Sequence, residues 1–544
     1  MCGILAILFT NLEQPELRLL ALERCRMLRH RGPDWNGMCI QKVGPLFNVL
    51  AHERLAIVDP SSGKQPLFDS RGEVAVTVNG EIYNHKELAA RLLPPEEVRS
   101  FCSASDCQPL PSLYRFHGPA MCDQLDGMFA FVISDKSSGT FLAARDPLGI
   151  CPMYVGYASD GSMWFASEMK ALAHDCEQIL NFPPGHYFHS SHNAGEEEGG
   201  FVRYYKPSWW GPQAPLSNRS CNLKDLREAL IAAVEKRLMC DVPFGLLLSG
   251  GVNSAIVAAA AVHEFQKHSA SEMDSHLWTH KLHSFSIGMK MSPALKYTRA
   301  VAEALGTVHH EFTFELEEGL NALQDVIRMI ESYDVATVRA AVPMYLLCRL
   351  IKSLGIKVVL TGEGGDEVFG GLPHMGEITT REAFQRELQQ KLELLQYYGL
   401  LRANKASMAW GIEARVPYLD RAFLDFAMTI DPENKMWKEG RLPKQILRDA
   451  FKGFLPDEYL YSRDESDNNG ACSSWIEALT ACAEQHVTEH MMRTAKVLFP
   501  YNTPTTKEAY LYRKIFAKHY QKECAARTVY KEVSSTCNGV TASK

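Results

Sequence analysis

The chain opens Met1-Cys2-Gly3-Ile4. Trimming of an initiator methionine before a small residue leaves Cys2 with a free α-amine beside its thiol. One residue then carries both a nucleophile and a general base, because an α-amine titrates near pH 8. Two later stretches have the composition of anion cradles. The apolar run Phe244 to Leu248 ends in Ser249-Gly250-Gly251-Val252-Asn253-Ser254, and Thr361-Gly362-Glu363-Gly364-Gly365-Asp366-Glu367 follows the apolar run Ile356 to Leu360. Glycines let backbone N–H groups approach a phosphate, and a helix start adds its positive dipole. These residues point to acyl transfer at the N-terminus and phosphate chemistry in the second half.

Elements of two kinds must position them. Over the first 190 residues, short β-rich runs (Val74–Val78, Met128–Ile133, Thr140–Ala144, Met163–Ala166) alternate with turn chemistry such as Asp160-Gly161, and a helix is expected near Glu16–Leu28. A polar break at Gly195–Gly200 and a Pro/Trp/Gly-rich stretch at Pro207–Pro215 read as a linker. Beyond it, apolar runs at Phe244–Leu248, Leu282–Ile287 and Ile356–Leu360 alternate with helical stretches at Leu223–Leu238, from Ala255, at Ala294–Ala304 and at Ala341–Leu354. Strands alternating with helices predict a parallel α/β sheet. From Arg381 the period is mainly helical, and the polar tail after Glu523 is expected to fray.

At 544 residues the chain is long enough for several cores without disulfide or metal staples. A net charge of −7 gives no electrostatic footprint for nucleic acid or an anionic membrane surface. The apolar runs are too short to span a bilayer, and residues 1–30 lack a signal-peptide pattern. Fifteen scattered cysteines without C-x-x-C spacing support neither a disulfide framework nor a zinc site, and fit a reducing, cytoplasmic compartment.

Cys2 is followed in order by His30-Arg31-Gly32-Pro33-Asp34, His52 to Asp59, Asn79-Gly80-Glu81-Ile82-Tyr83-Asn84-His85, Ser105-Asp106, Leu125 to Ala130 and Arg145-Asp146-Pro147-Leu148-Gly149. This series resembles the N-terminal-nucleophile glutamine amidotransferases. With the Ser-Gly-Gly and Gly-Glu-Gly loops, Arg402-Ala403-Asn404, Glu413 to Asp420 and Phe499 to Thr505, the chain from residue 1 to about 522 is similar to the glutamine-dependent asparagine synthetases. The resemblance implies an α+β N-terminal-nucleophile sheet sandwich with flanking helices over 1–205. It also implies a doubly wound parallel α/β ATP-pyrophosphatase domain with a helical C-terminal part over 206–525, and a tail over 526–544.

It further implies that Cys2 attacks the glutamine amide, with Asn79 and the Gly80 N–H as the oxyanion hole. Arg54 and Asp106 would hold the substrate's carboxylate and ammonium, in a pocket completed by Leu55, Ala56, Ile57, Val58 and Glu81. Leu247, Ser249, Gly250, Gly251, Ser254, Ile287, Thr361 and Gly362 would contact ATP, and Glu363 would support formation of β-aspartyl-AMP. Asp366 would hold Mg²⁺. Glutamine, aspartate and ATP are the implied small-molecule partners, and a homodimer is compatible with the family.

Three positions depart from the family pattern. Asn253 stands where the pyrophosphate loop has aspartate, Glu377 takes a lysine position, and Asp464 or Glu465 takes another. Reversing charge about 4 Å from a phosphate is worth several kcal/mol at an effective dielectric near 20. The synthetase half is therefore expected to be impaired. The competing readings are a glutaminase whose second half only binds or scaffolds, and a phosphoribosyl-type amidotransferase, which shares the first half alone.

Overall fold

The computed structural model describes all residues except 192–199, 212–213, 271–280, 291, 463–472 and 532–544. In the first half, β1 (Gly3–Thr10), β2 (Trp35–Val43), β3 (Leu46–Arg54), β8 (Tyr154–Ala158), β9 (Met163–Ala166) and β10 (Cys176–Asn181) form an antiparallel sheet of order β10-β8-β9-β1-β3-β2. A second sheet, of order β12-β11-β7-β6-β5-β4, uses β4 (Leu67–Phe68), β5 (Val74–Ile82), β6 (Gly127–Asp135), β7 (Thr140–Arg145), β11 (His186–His189) and β12 (Phe201–Arg203).

Period-two alternation explains the layering. Along β1, Ile4, Ala6 and Leu8 enter the core between the sheets, while Leu5 and Ile7 pack outward on Leu17, Ala21 and Cys25 of the helix Gln14–Arg26. Along β6, Met128, Ala130 and Val132 face the inner core, while Phe129, Phe131 and Ile133 meet Leu88 and Leu110 of two outer helices. The result is the expected sandwich with helices outside both sheets.

The second half carries a five-stranded parallel sheet, β15-β14-β13-β16-β17, built from β13 (Phe244–Leu247), β14 (His283–Met289), β15 (Val308–Phe314), β16 (Val358–Leu360) and β17 (Glu413–Arg415). The helix Val252–Ala270 packs with Phe244 and Leu246 on one face, and Leu347, Cys348 and Ile351 cover Leu247 and Val359 on the other. Helices on both faces make it doubly wound. Strand order reverses between β13 and β16, and a crevice at such a reversal is where open α/β sheets bind ligands.

Two strands of the parallel sheet were not expected, β15 with its three polar residues His309, His310 and Glu311, and the charged β17. The end of the chain differs from expectation as well. A helix spans Glu523–Arg527, Val529 is buried, and Tyr530 packs against Tyr397 and Tyr398, so the chain stays packed beyond residue 525. Contacts with the apolar surface of Ala525 and Ala526 outweigh the local polarity that predicted fraying.

Candidate functional site

Cys2 sits at the head of β1, almost wholly buried. Its backbone N–H donates to Asn79 Oδ1 at 2.6 Å, and the Leu55 N–H donates to its Sγ at 3.4 Å. The Asn79 Nδ2, on β5, is buried and has no acceptor among the described residues, an orphaned donor on the amide that holds the Cys2 N–H. A buried unsatisfied donor is costly unless a ligand oxygen completes it. Gly80 follows with φ of +142°, and a Cβ there would overlap the Met128 carbonyl oxygen, so only glycine lets β5 and β6 close at this point.

The pocket wall is held by the chain's own polar groups. Arg54, at the end of β3, donates to the Asp59 carbonyl at 2.7 Å and to the Val58 carbonyl at 3.4 Å, which curls Leu55–Val58 around its guanidinium. The Ala56 N–H donates to Asp34 Oδ2 at 2.8 Å, and the Ile57 carbonyl accepts from Asp241 of the second half at 3.0 Å. Asp106 accepts from the Ile82 N–H at 2.7 Å, one residue beyond Glu81. Glu81 is buried, and its Oε2 accepts no hydrogen bond among the described residues but lies 3.7 Å from the Arg415 guanidinium. Burial, with the Asp106 and Glu413 carboxylates nearby, raises its pKa well above the usual range.

Burial raises the Cys2 thiol, against the pull of the neighbouring ammonium. That ammonium belongs to Met1, whose amine pairs with Glu413 of β17. Burial alone would lower this amine, but the Glu413 carboxylate, with Cys2 and Glu81, carries it to about 10. The Met1 side chain lies between Asn404 Nδ2 and Cys151 Sγ, at 2.8 and 3.8 Å from its sulfur.

At the other site, the loops after β13 and β16 touch backbone to backbone. A Cβ on Gly362 would lie 2.5 Å from the Ser254 nitrogen and 2.8 Å from the Asn253 carbonyl carbon. The Ser249 N–H donates to Ser254 Oγ at 3.1 Å, and Ser254 Oγ donates to the Gly251 carbonyl at 2.9 Å, which closes the turn before the helix. Leu247 and Ile287 lie on neighbouring strands in one apolar cluster. The Glu363 N–H donates to Thr361 Oγ1 at 3.1 Å, and the Glu363 carboxylate pairs with Arg402.

Asn253 is pressed against Gly365, and its Oδ1 is buried without a donor. Asp366, the next residue after Gly365, pairs with Lys444 Nζ at 2.9 Å. Burial, then the Asp366 and Glu363 carboxylates, push Glu367 up to about 8. Glu377 is exposed and makes no ion pair among the described residues. Asp464 and Glu465 lie outside the described residues.

Several participants went unread in the sequence. Arg31 donates from Nε to the Cys2 carbonyl at 2.9 Å and from a terminal nitrogen to Glu168 at 2.8 Å. Its other terminal nitrogen donates to Asn404 Oδ1 at 3.0 Å, on the helix Gly399–Met408 that also carries Arg402. A buried network of Glu168, Lys170, Glu331 and Lys405 runs alongside. Arg31 and the Arg402/Asn404 pair stand within the motifs quoted above, but spacing alone gave them no partner.

A cysteine at the head of a sandwich strand and glycine-rich loops at a parallel sheet's reversal point define a two-part protein, an amidotransferase-type half joined to a doubly wound α/β half. A family model described as a glutamine amidotransferase domain matches residues 1–195, and one described as asparagine synthase matches residues 225–382 and 374–538. The chain is 47% identical to "Asparagine synthetase [glutamine-hydrolyzing] 2" of Oryza sativa subsp. japonica, over 99% of this chain and 89% of that one. Identity is 47% to the protein of the same name in Arabidopsis thaliana, covering 99% and 91%, and 48% to "Asparagine synthetase [glutamine-hydrolyzing]" of Triphysaria versicolor, covering 100% and 90%. The chain belongs to the glutamine-hydrolysing asparagine synthetase family. Among the described residues no helix is long and apolar enough to cross a membrane.

Proposed function

We propose that the chain converts ATP, aspartate and glutamine to asparagine, glutamate, AMP and pyrophosphate, with hydrolysis over 1–205 and synthesis over 206–525, in a reducing, cytoplasmic compartment. The observation that carries this reading is the orphaned Asn79 Nδ2 on the amide that holds the Cys2 N–H, at a site tied through Arg31 and Asn404 to the helix that anchors Glu363.

Removal of Met1 frees the Cys2 α-amine. Because burial keeps the thiol protonated, that amine takes its proton as Sγ attacks the glutamine carbonyl. Asn79 Nδ2 and the Gly80 N–H receive the developing oxyanion, and the amine returns the proton to the departing ammonia. Arg54 and Asp106 hold the substrate's two charged ends. Water then releases glutamate from the thioester. The space left by Met1 lies between Cys151, Asn404 and Glu413, on the side facing the second half, and gives ammonia its way out. Neutral ammonia crosses such a buried path without the desolvation cost that ammonium would meet.

In the second half, the Ser249–Ser254 and Thr361–Gly362 backbones cradle the triphosphate, and Leu247 and Ile287 flank the nucleotide. Glu363, oriented by Arg402, supports attack of the aspartate β-carboxylate on the α-phosphate, and ammonia displaces AMP. An unpartnered Asn253 Oδ1 and the Asp366 carboxylate fit a Mg²⁺ ion held chiefly by phosphate oxygens, whose role is to offset triphosphate charge. The test is a reaction with amide-labelled glutamine, ATP and aspartate. Label should appear in asparagine, with AMP and pyrophosphate in step. Glutamate release with no labelled asparagine would instead favour a glutaminase with a non-catalytic second half.

A further inference from the structure

We propose that the groove between the helices Leu316–Ile330 and Val335–Ser353, closed at one end by Trp410, binds a free basic α-amino acid of the lysine type. The groove holds about 610 Å³, within the range of small-molecule sites, and none of its lining residues belongs to either reaction centre described above. Four carboxylates line it, and two of these are already paired: Glu315 with Lys290 at 3.1 Å, and Glu318 with Arg349. Glu317 and Asp325 have no ion-pair partner among the described residues. They stand eight positions apart on one helix, about 12 Å along its axis.

Tyr345 and Trp410 supply the other half of the recognition. Tyr345 is 8% exposed, and its hydroxyl has no hydrogen-bond partner among the described residues, although Asp325 and Arg349 are its charged neighbours. The Trp410 indole N–H is shielded from solvent and has no acceptor. The two rings lie 5.2 Å apart, tilted by 56°. Two unpaired carboxylates ask for two cations, and two unpaired donors beside Arg349 ask for an acceptor.

A basic amino acid carries all three. Its two cationic nitrogens, six bonds apart, span roughly 7 Å when extended, and a hydrogen bond at each end brings the reach close to the carboxylate spacing. The aromatic faces can take up the cation or the methylene stem. Simple diamines satisfy only the carboxylates, and neutral amino acids leave one of them unpaired.

Calorimetric titration of the full chain with lysine, cadaverine and norleucine tests this. Lysine should bind one equivalent, with cadaverine and norleucine each weaker by ~tenfold or more. The double variant Glu317→Gln/Asp325→Asn should lose at least ~tenfold in lysine affinity, and Tyr345→Phe should narrow the gap between lysine and cadaverine. Neither variant touches the machinery above, so glutamine hydrolysis should be unchanged in both. The assignment is overturned by the absence of saturable heat up to ~10 mM lysine. Undiminished binding in the double variant, or cadaverine binding as tightly as lysine, overturns it equally.

Discussion

Arg31 and Asn404 share a hydrogen bond of 3.0 Å across the contact between the two halves of the chain. The same guanidinium holds the Cys2 carbonyl, and Asn404 lies two residues from Arg402, the partner of Glu363. One planar side chain thus fixes the backbone of the thiol residue relative to the helix whose Arg402 pairs with Glu363.

Replacing Arg31 with alanine strips partners from the Cys2 carbonyl and from a fully buried Glu168 oxygen. Breaking a buried pair on one side costs about 3–5 kcal/mol. We expect a fall of that order in denaturant unfolding, with glutaminase activity reduced at matched folded fraction. Arg31→Lys should recover little, because an ammonium cannot reproduce three divergent donors. Wild-type stability in the alanine variant would mean that other contacts hold this junction.

Cys2→Ala should abolish glutamine hydrolysis while changing stability by about 1 kcal/mol or less, the usual scale for a small truncation. Added ammonium salts should still support asparagine formation from ATP and aspartate. Glutamate release at the wild-type rate would remove Cys2 from the mechanism.

At Gly362 a methyl group would collide with the Ser254 nitrogen at 2.5 Å. Gly362→Ala must therefore push the loops after β13 and β16 apart, at a cost of about 1–3 kcal/mol. Pyrophosphate release should fall by ~tenfold or more, since 1.4 kcal/mol is tenfold in rate. Hydrolysis should stay unaffected. Equal losses in both reactions would point to general unfolding.

Synthesis should run at least roughly a hundredfold below hydrolysis if, as the family resemblance implies, Asn253 stands at an acidic position and Glu377 at a basic one. Lys444, already engaged by Asp366, adds one cation nearby but also neutralises the remaining carboxylate. Asn253→Asp alone should recover less than ~tenfold, as residues of one site act as a unit. Asparagine and glutamate measured side by side decide it. One-to-one formation at equal rates would show that the altered loops hold pyrophosphate adequately.

Glu367 gives a pH dependence of known sign. Its folded pKa is raised, from an ordinary 4.5 to about 8, by burial and by Asp366 and Glu363. Between those values the folded state holds a proton that the unfolded state has released. Its contribution to stability is therefore complete below about pH 4.5 and is lost as pH rises through 8. Glu367→Gln should flatten this part of the stability profile. A steeper fall in the variant would reverse the assignment.

The sequence by itself determined four of the sandwich strands, β5, β6, β7 and β9, together with the Ser-Gly-Gly turn and the position of Cys2. Apolar runs such as Val74–Val78 and Met128–Ile133 are a local record of burial, and glycines mark close approach without further context. Only the tertiary structure decided β17. Glu413 and Arg415 are charged yet wholly buried, and no local pattern distinguishes such a strand from a surface loop. Their burial is tolerable because Glu413 meets both the Met1 ammonium and Arg415, and those partners lie at opposite ends of the sequence separation. The same holds for Arg31 with Asn404, 373 positions apart. Charge compensation in a low-dielectric interior depends on distances that a linear pattern does not contain, so the two halves were legible separately while their connection was not.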